Sequence, residues 1–259
     1  MSARAHFKIA GIPVRVEPVF FVIAALFGLR YIDIGVEIVL IWVATTFVSI
    51  LVHEMGHGIA LKVFGQPSAI VLHGFGGVTV SPRRRGPGGL SRARSIFVSL
   101  AGSLFALALL WLPMRTLWGS DWIFDQSRYV VYAIYFLQFQ NLWWSVANLL
   151  PIRPLDGGNV TAELFGLDSA RRISIGVAIA GALYCFVNDQ TYAAFFALFL
   201  AFSNYQEIRA EQTGGAADAF HVEPPDPGGA AGKRRRGTGN LRAVPTPSAA
   251  EAGPGPGLA

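Results

Sequence analysis

Six apolar segments dominate the sequence and constrain its fold more than any other feature. They lie at about residues 18–32, 35–64, 95–117, 129–150, 171–187 and 191–206. A helix needs about 20 apolar residues to cross a bilayer, within a range of about 17–25. Polar residues 188–190 indicate a turn, so the last two segments are predicted to form a hairpin, or alternatively one long kinked helix. The pattern predicts an all-α polytopic membrane protein with about six transmembrane helices.

The composition of the chain also favours a membrane protein. Hydrophobic residues make up 53% of the chain, charged residues 14%, and the mean hydropathy is +0.45. Soluble domains carry about 25% charged residues. We therefore interpret the net charge of +5 as a determinant of orientation in the bilayer, with no nucleic acid as a partner. The single cysteine, Cys185, excludes an internal disulfide and a cysteine-based metal site.

The lysines and arginines are unevenly distributed between the two sides of these segments. With a cytosolic N-terminus and six spans, most basic residues before the tail lie on the cytosolic side, including the run Arg83–Arg85. The loops predicted on the opposite side are richer in aspartate. By the positive-inside rule, both termini are cytosolic. The predicted location is the cell membrane of a prokaryote, as a multi-pass integral protein.

Residues 66–80 are too short to cross a bilayer and too apolar for an open loop. Valine, isoleucine and threonine alternate there with small residues around the Gly74–Gly77 turn. This pattern predicts a short re-entrant, β-hairpin-like loop, which is tolerated at membrane depth only where protein or a wet cavity covers it. The edge of such a hairpin could bind an extended peptide segment.

The two ends of the chain differ in character from its middle. Residues 1–17 are predicted to be a cytosolic N-terminal segment without a cleavable signal peptide, and residues 18–211 the transmembrane domain. Residues 212–259 are rich in glycine, proline and alanine, which predicts a disordered cytosolic tail. The basic run Lys233–Arg236 is interpreted as solvated or as a contact to anionic lipid.

The string HEMGH at residues 53–57 lies inside the second apolar segment. His53 and His57 are four residues apart, so both imidazoles share one helical face and can reach one cation. Glu54 lies beside them and can accept a proton from a water molecule at that cation. The string also occurs by chance in soluble proteins. At the bilayer centre, however, each ionisable residue costs about 2.5–3.5 kcal/mol, so three together predict a function.

A catalytic zinc site needs a third protein ligand from elsewhere in the chain. The remaining candidates are the carboxylates and His6, His73 and His221. Asp156 is favoured because it follows the fourth apolar segment on the same predicted side of the membrane as the HEMGH string. Pro151 and Pro154 are predicted to end that helix, and Gly157 and Gly158 to allow irregular backbone that lines a cavity. An ordinary turn is the alternative interpretation of this segment.

The HEMGH helix, the Gly-Gly hairpin and the segment NLLPIRPLDGGN at residues 148–159 together resemble the site-2 protease family of intramembrane zinc metalloproteases. The resemblance covers roughly residues 40–165 and is closest to the compact form without a PDZ domain. The middle helix of the family often opens with Ala-Gly-Pro, whereas this chain has Ala-Gly-Ser at residues 101–103.

This resemblance implies a zinc metalloendopeptidase that hydrolyses peptide bonds within or next to transmembrane segments, in regulated proteolysis. It implies one Zn2+ ion per chain bound by His53, His57 and Asp156, catalysis by Glu54, and placement of the substrate by Asn148. Gly76 and Gly77, in the hairpin predicted to dock an extended peptide, are also predicted to bind substrate. The implied partners are a transmembrane protein substrate and the lipid bilayer. Neither the substrate nor the oligomeric state follows from the sequence.

Two other interpretations remain beside the protease. One is a catalytically inactive zinc-binding membrane scaffold or chaperone of the same fold. The other is a small transporter, which matched half-helix repeats would favour, and the sequence has no such repeats. His73 is interpreted as a hydrogen-bonding loop residue, or alternatively as a further metal contact or a proton donor.

Overall fold

The computed structural model describes residues 5–81 and 89–212. Within these ranges the helices are α1 Pro18–Gly28, α2 Val36–Val63, α3 Arg92–Ala106, α4 Leu112–Trp118, α5 Arg128–Asn148, α6 Asp156–Phe165, α7 Leu167–Val187 and α8 Thr191–Gln212. A π-helical segment, Leu107–Trp111, joins α3 to α4 in one helix. Each predicted apolar segment therefore forms a helix, and the last two form separate helices around residues 188–190.

Three of these helices are long and apolar enough to cross a membrane. They are Val36–Val63, Arg92–Trp118 and Leu167–Val187. Helix α1 is apolar but shorter, and polar residues such as Gln140 and Asn141 lower the hydropathy of α5. The described residues thus contain three candidate spans, and crossing by six helices stays a prediction.

A four-stranded sheet corrects the expectation of an all-α fold with one small hairpin. Its strands are β1 Ala5–Ile9, β2 Ile12–Val16, β3 Ala69–His73 and β4 Gly76–Val80, in that order across the sheet. The predicted hairpin is formed by β3 and β4, which are antiparallel. Strand β2 pairs in parallel with β3, and β1 pairs antiparallel with β2. Strand β4 lies at one edge of the sheet.

The N-terminal hairpin was not predicted, although the sequence carries a signal for it. Ile12, Val14 and Val16 alternate along β2 and are all buried. The two-residue turn Ala10–Gly11 has positive φ at both positions, as tight hairpins with the twist of the flanking strands require. Alternation on both sides of a glycine turn is the usual sequence signature of such a hairpin.

Helix α2 is the central element of the fold. It contacts α1, α3, α5, β3 and β4. One buried apolar cluster joins the sheet to α1 and α2 and contains Ile12, Val14, Val16, Phe20, Ile50, Met55, Ile70 and Leu72. A second joins α2 to α3 and contains Ala60, Leu61, Val98 and Ala101. The HEMGH string therefore lies where the sheet and the helices meet.

Polar side chains also connect α2 to α5. The Asn141 amide donates to Ser49 Oγ at 2.9 Å, and the Gln140 amide donates to Thr46 Oγ1 at 2.9 Å. Hydrogen bonds between helices satisfy polar groups to which lipid tails offer no hydrogen-bond partner. These bonds fix α5, whose end leads to Asp156, beside the helix that carries the histidines.

Several sequence predictions fall wholly or partly outside the described residues, among them residues 1–4 of the predicted N-terminal segment and the candidate ligand His221. The runs Arg83–Arg85 and Lys233–Arg236 lie outside them. Of the predicted tail at residues 212–259, only Gln212 is described, as the last residue of α8.

Candidate metal centre

His53 and His57 of α2 face the same point in the protein interior. Their exposed fractions are 2% and 7%, and their Nε2 atoms lie 3.2 Å apart. The i, i+4 spacing in one unbroken helix is sufficient for this convergence, because both side chains leave the same helical face. The structure therefore brings the two histidines together as the spacing predicts.

The main chain of α3 orients one of the two imidazoles. His57 Nδ1 lies 2.7 Å from the carbonyl oxygen of Val98. Since a carbonyl oxygen only accepts, Nδ1 carries the proton and the neutral ring presents its lone pair at Nε2. A backbone carbonyl on the other ring nitrogen is typical of histidines that bind metals.

Asp156 is the first residue of α6, which corrects the prediction that it lies on irregular backbone. Gly157 and Gly158 form the first helical turn, and both lie against the preceding main chain. A Cβ at Gly157 would lie 2.5 Å from the carbonyl oxygen of Leu150, and one at Gly158 would meet the main chain of Ile152. The glycines therefore permit close packing of α6 on this segment.

Two later helices hold the segment that precedes Asp156. The Arg153 main-chain N–H donates to Ser174 Oγ of α7 at 2.8 Å, and the Asn204 amide of α8 donates to the Arg153 carbonyl at 2.7 Å. Helix α6 is also tied to α3, because Ser95 Oγ donates to Glu163 Oε1 at 2.8 Å. These bonds hold α6 against α3 and hold the segment that leads to Asp156 against α7 and α8.

The Asp156 carboxylate completes a cluster of three donors. Asp156 Oδ2 lies 3.2 Å from His53 Nε2, and Asp156 Oδ1 lies 3.3 Å from His57 Nε2. One ligand atom from each residue fits within 4.8 Å of the others, and all three residues are buried. Among the described residues this is the group of histidine and acidic side chains that could hold a metal ion.

These donors fit zinc. Zinc binds nitrogen and carboxylate oxygen at about 2.0–2.2 Å in tetrahedral geometry, so neighbouring ligand atoms lie roughly 3.3–3.5 Å apart. The two imidazole nitrogens lie 3.2 Å apart, and each lies 3.2 or 3.3 Å from a different oxygen of the Asp156 carboxylate, which is close to this spacing. Imidazole lone pairs that face one another at this distance repel each other unless a proton or a cation lies between them. Two imidazoles and one carboxylate also leave a fourth position open, as in catalytic sites.

Helix α3 approaches the donors at Gly102. A Cβ added there would meet His57 Nε2 and would lie 2.8 Å from His53 Nε2. Real Cβ atoms do not come this close to other heavy atoms. The Ala-Gly-Ser segment of this chain therefore keeps the glycine that its packing against the donors requires.

Strand β4 covers Glu54, which is 5% exposed. Thr79 Oγ1 lies 2.7 Å from Glu54 Oε2, and a Cβ at Gly77 would lie 2.8 Å from Glu54 Oε1. Gly77 and Thr79 are two residues apart and face the same side of the strand. The hairpin thus forms a wall beside the HEMGH string.

The other predicted site residues lie around this wall. Gly76 begins β4 with φ of +123°, and a Cβ there would lie 3.2 Å from the ring of Trp144. Asn148 ends α5, is buried, and its amide donates to the Trp144 carbonyl at 3.0 Å. The structure does not set either residue among the three donors.

His73 is the last residue of β3 and makes a local hydrogen bond, which agrees with the first of its interpretations from the sequence. Its Nδ1 accepts a hydrogen bond from the Phe75 main-chain N–H at 3.3 Å. Burial lowers the pKa of His73, while Glu17 and Glu54 oppose that shift. The neutral ring that results is the form that can accept this bond. His73 is not part of the three-donor cluster.

Sequence reasoning missed Val98, Gly102 and Thr79 as neighbours of the site. Val98 contributes only a carbonyl oxygen, which any residue would supply, so no sequence signal exists for it. Gly102 is a glycine inside an apolar helix, and such glycines often mark close packing. Thr79 follows Gly77 at the two-residue period of a strand, which would have placed both on one face.

Comparison with known proteins finds a curated relative and a solved structure of similar fold. No family model matches the chain. The chain is 25% identical over 215 residues to the zinc metalloprotease MJ0392 of Methanocaldococcus jannaschii, a match that covers 78% of this chain and 60% of that protein. The chain therefore spans less than two thirds of the length of this relative. Among solved structures, the site-2 protease from Methanocaldococcus jannaschii matches with a TM-score of 0.56 and 23% identity, covering 80% of this chain and 95% of that one.

The two matches agree with the motifs in the sequence. The curated relative is a zinc metalloprotease, and the solved structure is a site-2 protease whose fold extends over most of this chain. Both matches therefore confirm the resemblance of this chain to the site-2 protease family, whose fold it shares.

Proposed function

We propose that this chain is an intramembrane zinc metalloprotease that hydrolyses peptide bonds within or next to transmembrane segments of its substrates. The observation that carries the proposal is the contact of Asp156, at the start of α6, with His53 and His57 of α2. Three donors with the spacing of zinc ligands, directly beside the glutamate of HEMGH, match the requirements of metal-assisted hydrolysis.

The residues of this chain divide the chemistry between them. His53, His57 and Asp156 would hold one zinc ion per chain, which when bound would polarise the scissile carbonyl and make water a stronger nucleophile at neutral pH. Glu54 accepts the proton of the attacking water and passes it to the leaving amine. Burial of Glu54 under β4 keeps bulk water away from this proton transfer.

The free edge of β4 is the proposed docking site for the substrate. Within the described residues, strand β4 pairs with β3 on one side only, so its other edge can accept an extended segment by strand addition. A substrate helix has to unwind locally, because its carbonyls are otherwise engaged in helical hydrogen bonds. Gly76 and Gly77 leave both faces of the strand without side chains beside this edge, and Asn148 is proposed to help place the segment.

The membrane location and the orientation of the chain are part of the same proposal. Three apolar helices and the shared fold support a membrane protein. We propose six spans, cytosolic termini and the cell membrane of a prokaryote, with a transmembrane protein substrate cleaved in regulated proteolysis. The positive-inside distribution of lysine and arginine supports this orientation.

The test combines metal content with cleavage. Purified full-length protein would be assayed for zinc by mass spectrometry and for cleavage of membrane proteins that accumulate in a host expressing Glu54→Ala. We expect about one zinc per chain and cleavage that a chelator abolishes and added zinc restores. Equal cleavage by zinc-free protein would contradict the proposal. Bound zinc without cleavage of any accumulated protein would favour the inactive scaffold.

A further inference from the structure

Strand β4 supplies Glu54 with a hydrogen-bond donor that the HEMGH motif does not contain. Thr79 Oγ1 lies 2.7 Å from Glu54 Oε2 and 3.0 Å from the Glu54 main-chain oxygen. A threonine hydroxyl has one proton and donates to one acceptor at a time. The carboxylate is both the nearer and the stronger acceptor, because charge strengthens a hydrogen bond. Thr79 therefore donates to Glu54 Oε2.

No other polar group holds this carboxylate within residues 5–81 and 89–212. Thr79 is the hydrogen-bond partner of the Glu54 side chain there, and the ion pairs of these ranges do not include Glu54. Glutamate has several rotatable bonds and loses considerable freedom when its orientation is set. A buried base therefore needs a neighbour that selects one orientation.

Gly77 restricts the same carboxylate from a second side. A Cβ at position 77 would lie 2.5 Å from Glu54 Cγ and 2.8 Å from Oε1. Gly77 and Thr79, which are neighbours on one face of β4, both contact Glu54. Gly77 packs closely against it, and Thr79 makes a hydrogen bond to it. The bond to Oε2 leaves Oε1 as the oxygen without a hydroxyl donor.

We infer that Thr79 is a positioning residue for Glu54, holding Oε2 so that Oε1 is presented to the proton of the attacking water. This inference rests on the proposed function, in which Glu54 is the general base. Because Thr79 lies on the strand whose free edge is proposed to dock substrate, docking and orientation of the base depend on one element. Thr79 acts through Glu54, because its hydrogen bonds in the described part of the chain go to Glu54 and not to the three donors.

The experiment removes the Thr79 hydroxyl and keeps the shape of the side chain. Thr79→Val removes the donor at nearly constant volume, and Thr79→Ser keeps it. Thr45→Val is the matched control, since Thr45 is a buried hydroxyl on α2 whose hydrogen bonds stay within its own helix. Zinc content, thermal unfolding, kcat and KM would be measured on full-length protein with one membrane substrate.

We expect Thr79→Val to lower kcat about 10- to 100-fold, the effect of losing one hydrogen bond to a charged group. KM, zinc content and unfolding temperature stay near those of the original chain, and Thr79→Ser restores most of kcat. An unchanged kcat in Thr79→Val would overturn the inference. A higher KM alone in Thr79→Val would also overturn it, because that result indicates a docking role. A loss of zinc would overturn it as well, because that result indicates a role at the metal.

A crystal structure of Thr79→Val gives a readout that does not require activity. We expect the Glu54 carboxylate to leave its present orientation or to occupy several, and an unmoved carboxylate would overturn the inference. If Thr79→Val does not fold, Thr79→Cys takes its place, with a weaker donor of similar size. Absence of cleavage by the original chain would count against the proposed function, while the crystal structure would still decide the role of Thr79.

Discussion

Gly102 of α3 lies so close to His53 of α2 that a Cβ at position 102 would stand 2.8 Å from His53 Nε2. The helix that faces the metal ligands therefore has no side chain at its point of closest approach. We predict that Gly102→Ala displaces the imidazoles and weakens zinc binding at least about tenfold, as disturbed ligand orientation does. Zinc affinity measured by competition with a chelator tests this prediction.

The control for Gly102→Ala is Gly176→Ala. Gly176 lies in α7, where an added Cβ has no neighbour within 4 Å. Alanine is the better helix former by about 1 kcal/mol, so α7 is expected to stay intact. Because the added Cβ touches no neighbour, zinc affinity is expected to stay unchanged in this variant. Wild-type zinc affinity in Gly102→Ala would contradict the packing described for α3.

Removal of the carboxylate ligand should remove the metal. Asp156→Asn replaces an anionic oxygen with a neutral amide beside His53 and His57, so we expect zinc content to fall well below one per chain and cleavage to be lost. Elemental analysis of the purified variant measures this directly. Asp189→Asn is the matched control, because Asp189 is exposed in the turn between α7 and α8. Full zinc content in Asp156→Asn would remove this residue from the ligand set.

Glu54 should separate catalysis from metal binding. Glu54→Gln keeps the shape of the side chain but cannot accept a proton, so zinc content is expected to stay near one per chain. We expect cleavage to fall by at least about a hundredfold, since general base catalysis typically contributes 10²–10⁴-fold. The control is Glu37→Gln, at the exposed start of the same helix. Cleavage close to that of the original chain in Glu54→Gln would exclude Glu54 as the base.

The ion pairs of Arg171 should stabilise the contact between α7 and α8. Arg171 is buried, its Nε donates to Glu207 Oε2 at 3.0 Å, and its Nη1 contacts Glu211. Arg171→Met leaves the Glu207 carboxylate without this partner, which we expect to cost about 1–3 kcal/mol of unfolding free energy. Thermal unfolding in detergent measures the loss. Arg172→Met changes an exposed neighbour and should have little effect.

Most of the local structure was predictable because its causes are local. Apolar runs marked the helices, and the i, i+4 spacing of His53 and His57 set both imidazoles on one face without knowledge of any partner. The prolines after Asn148 marked the end of α5. The N-terminal hairpin was missed, although its alternation was present, because burial of β2 depends on pairing with β3 far along the chain.

The sequence by itself determined which residue types could bind a cation and which helix carries the base. Only the tertiary structure decided which atoms meet there. Val98 selects the tautomer of His57, packing of α6 on α3 brings Asp156 to the histidines, and β4 sets Thr79 on Glu54. The physical reason is that helical periodicity acts within a turn or two, whereas these distances depend on how whole helices and strands pack.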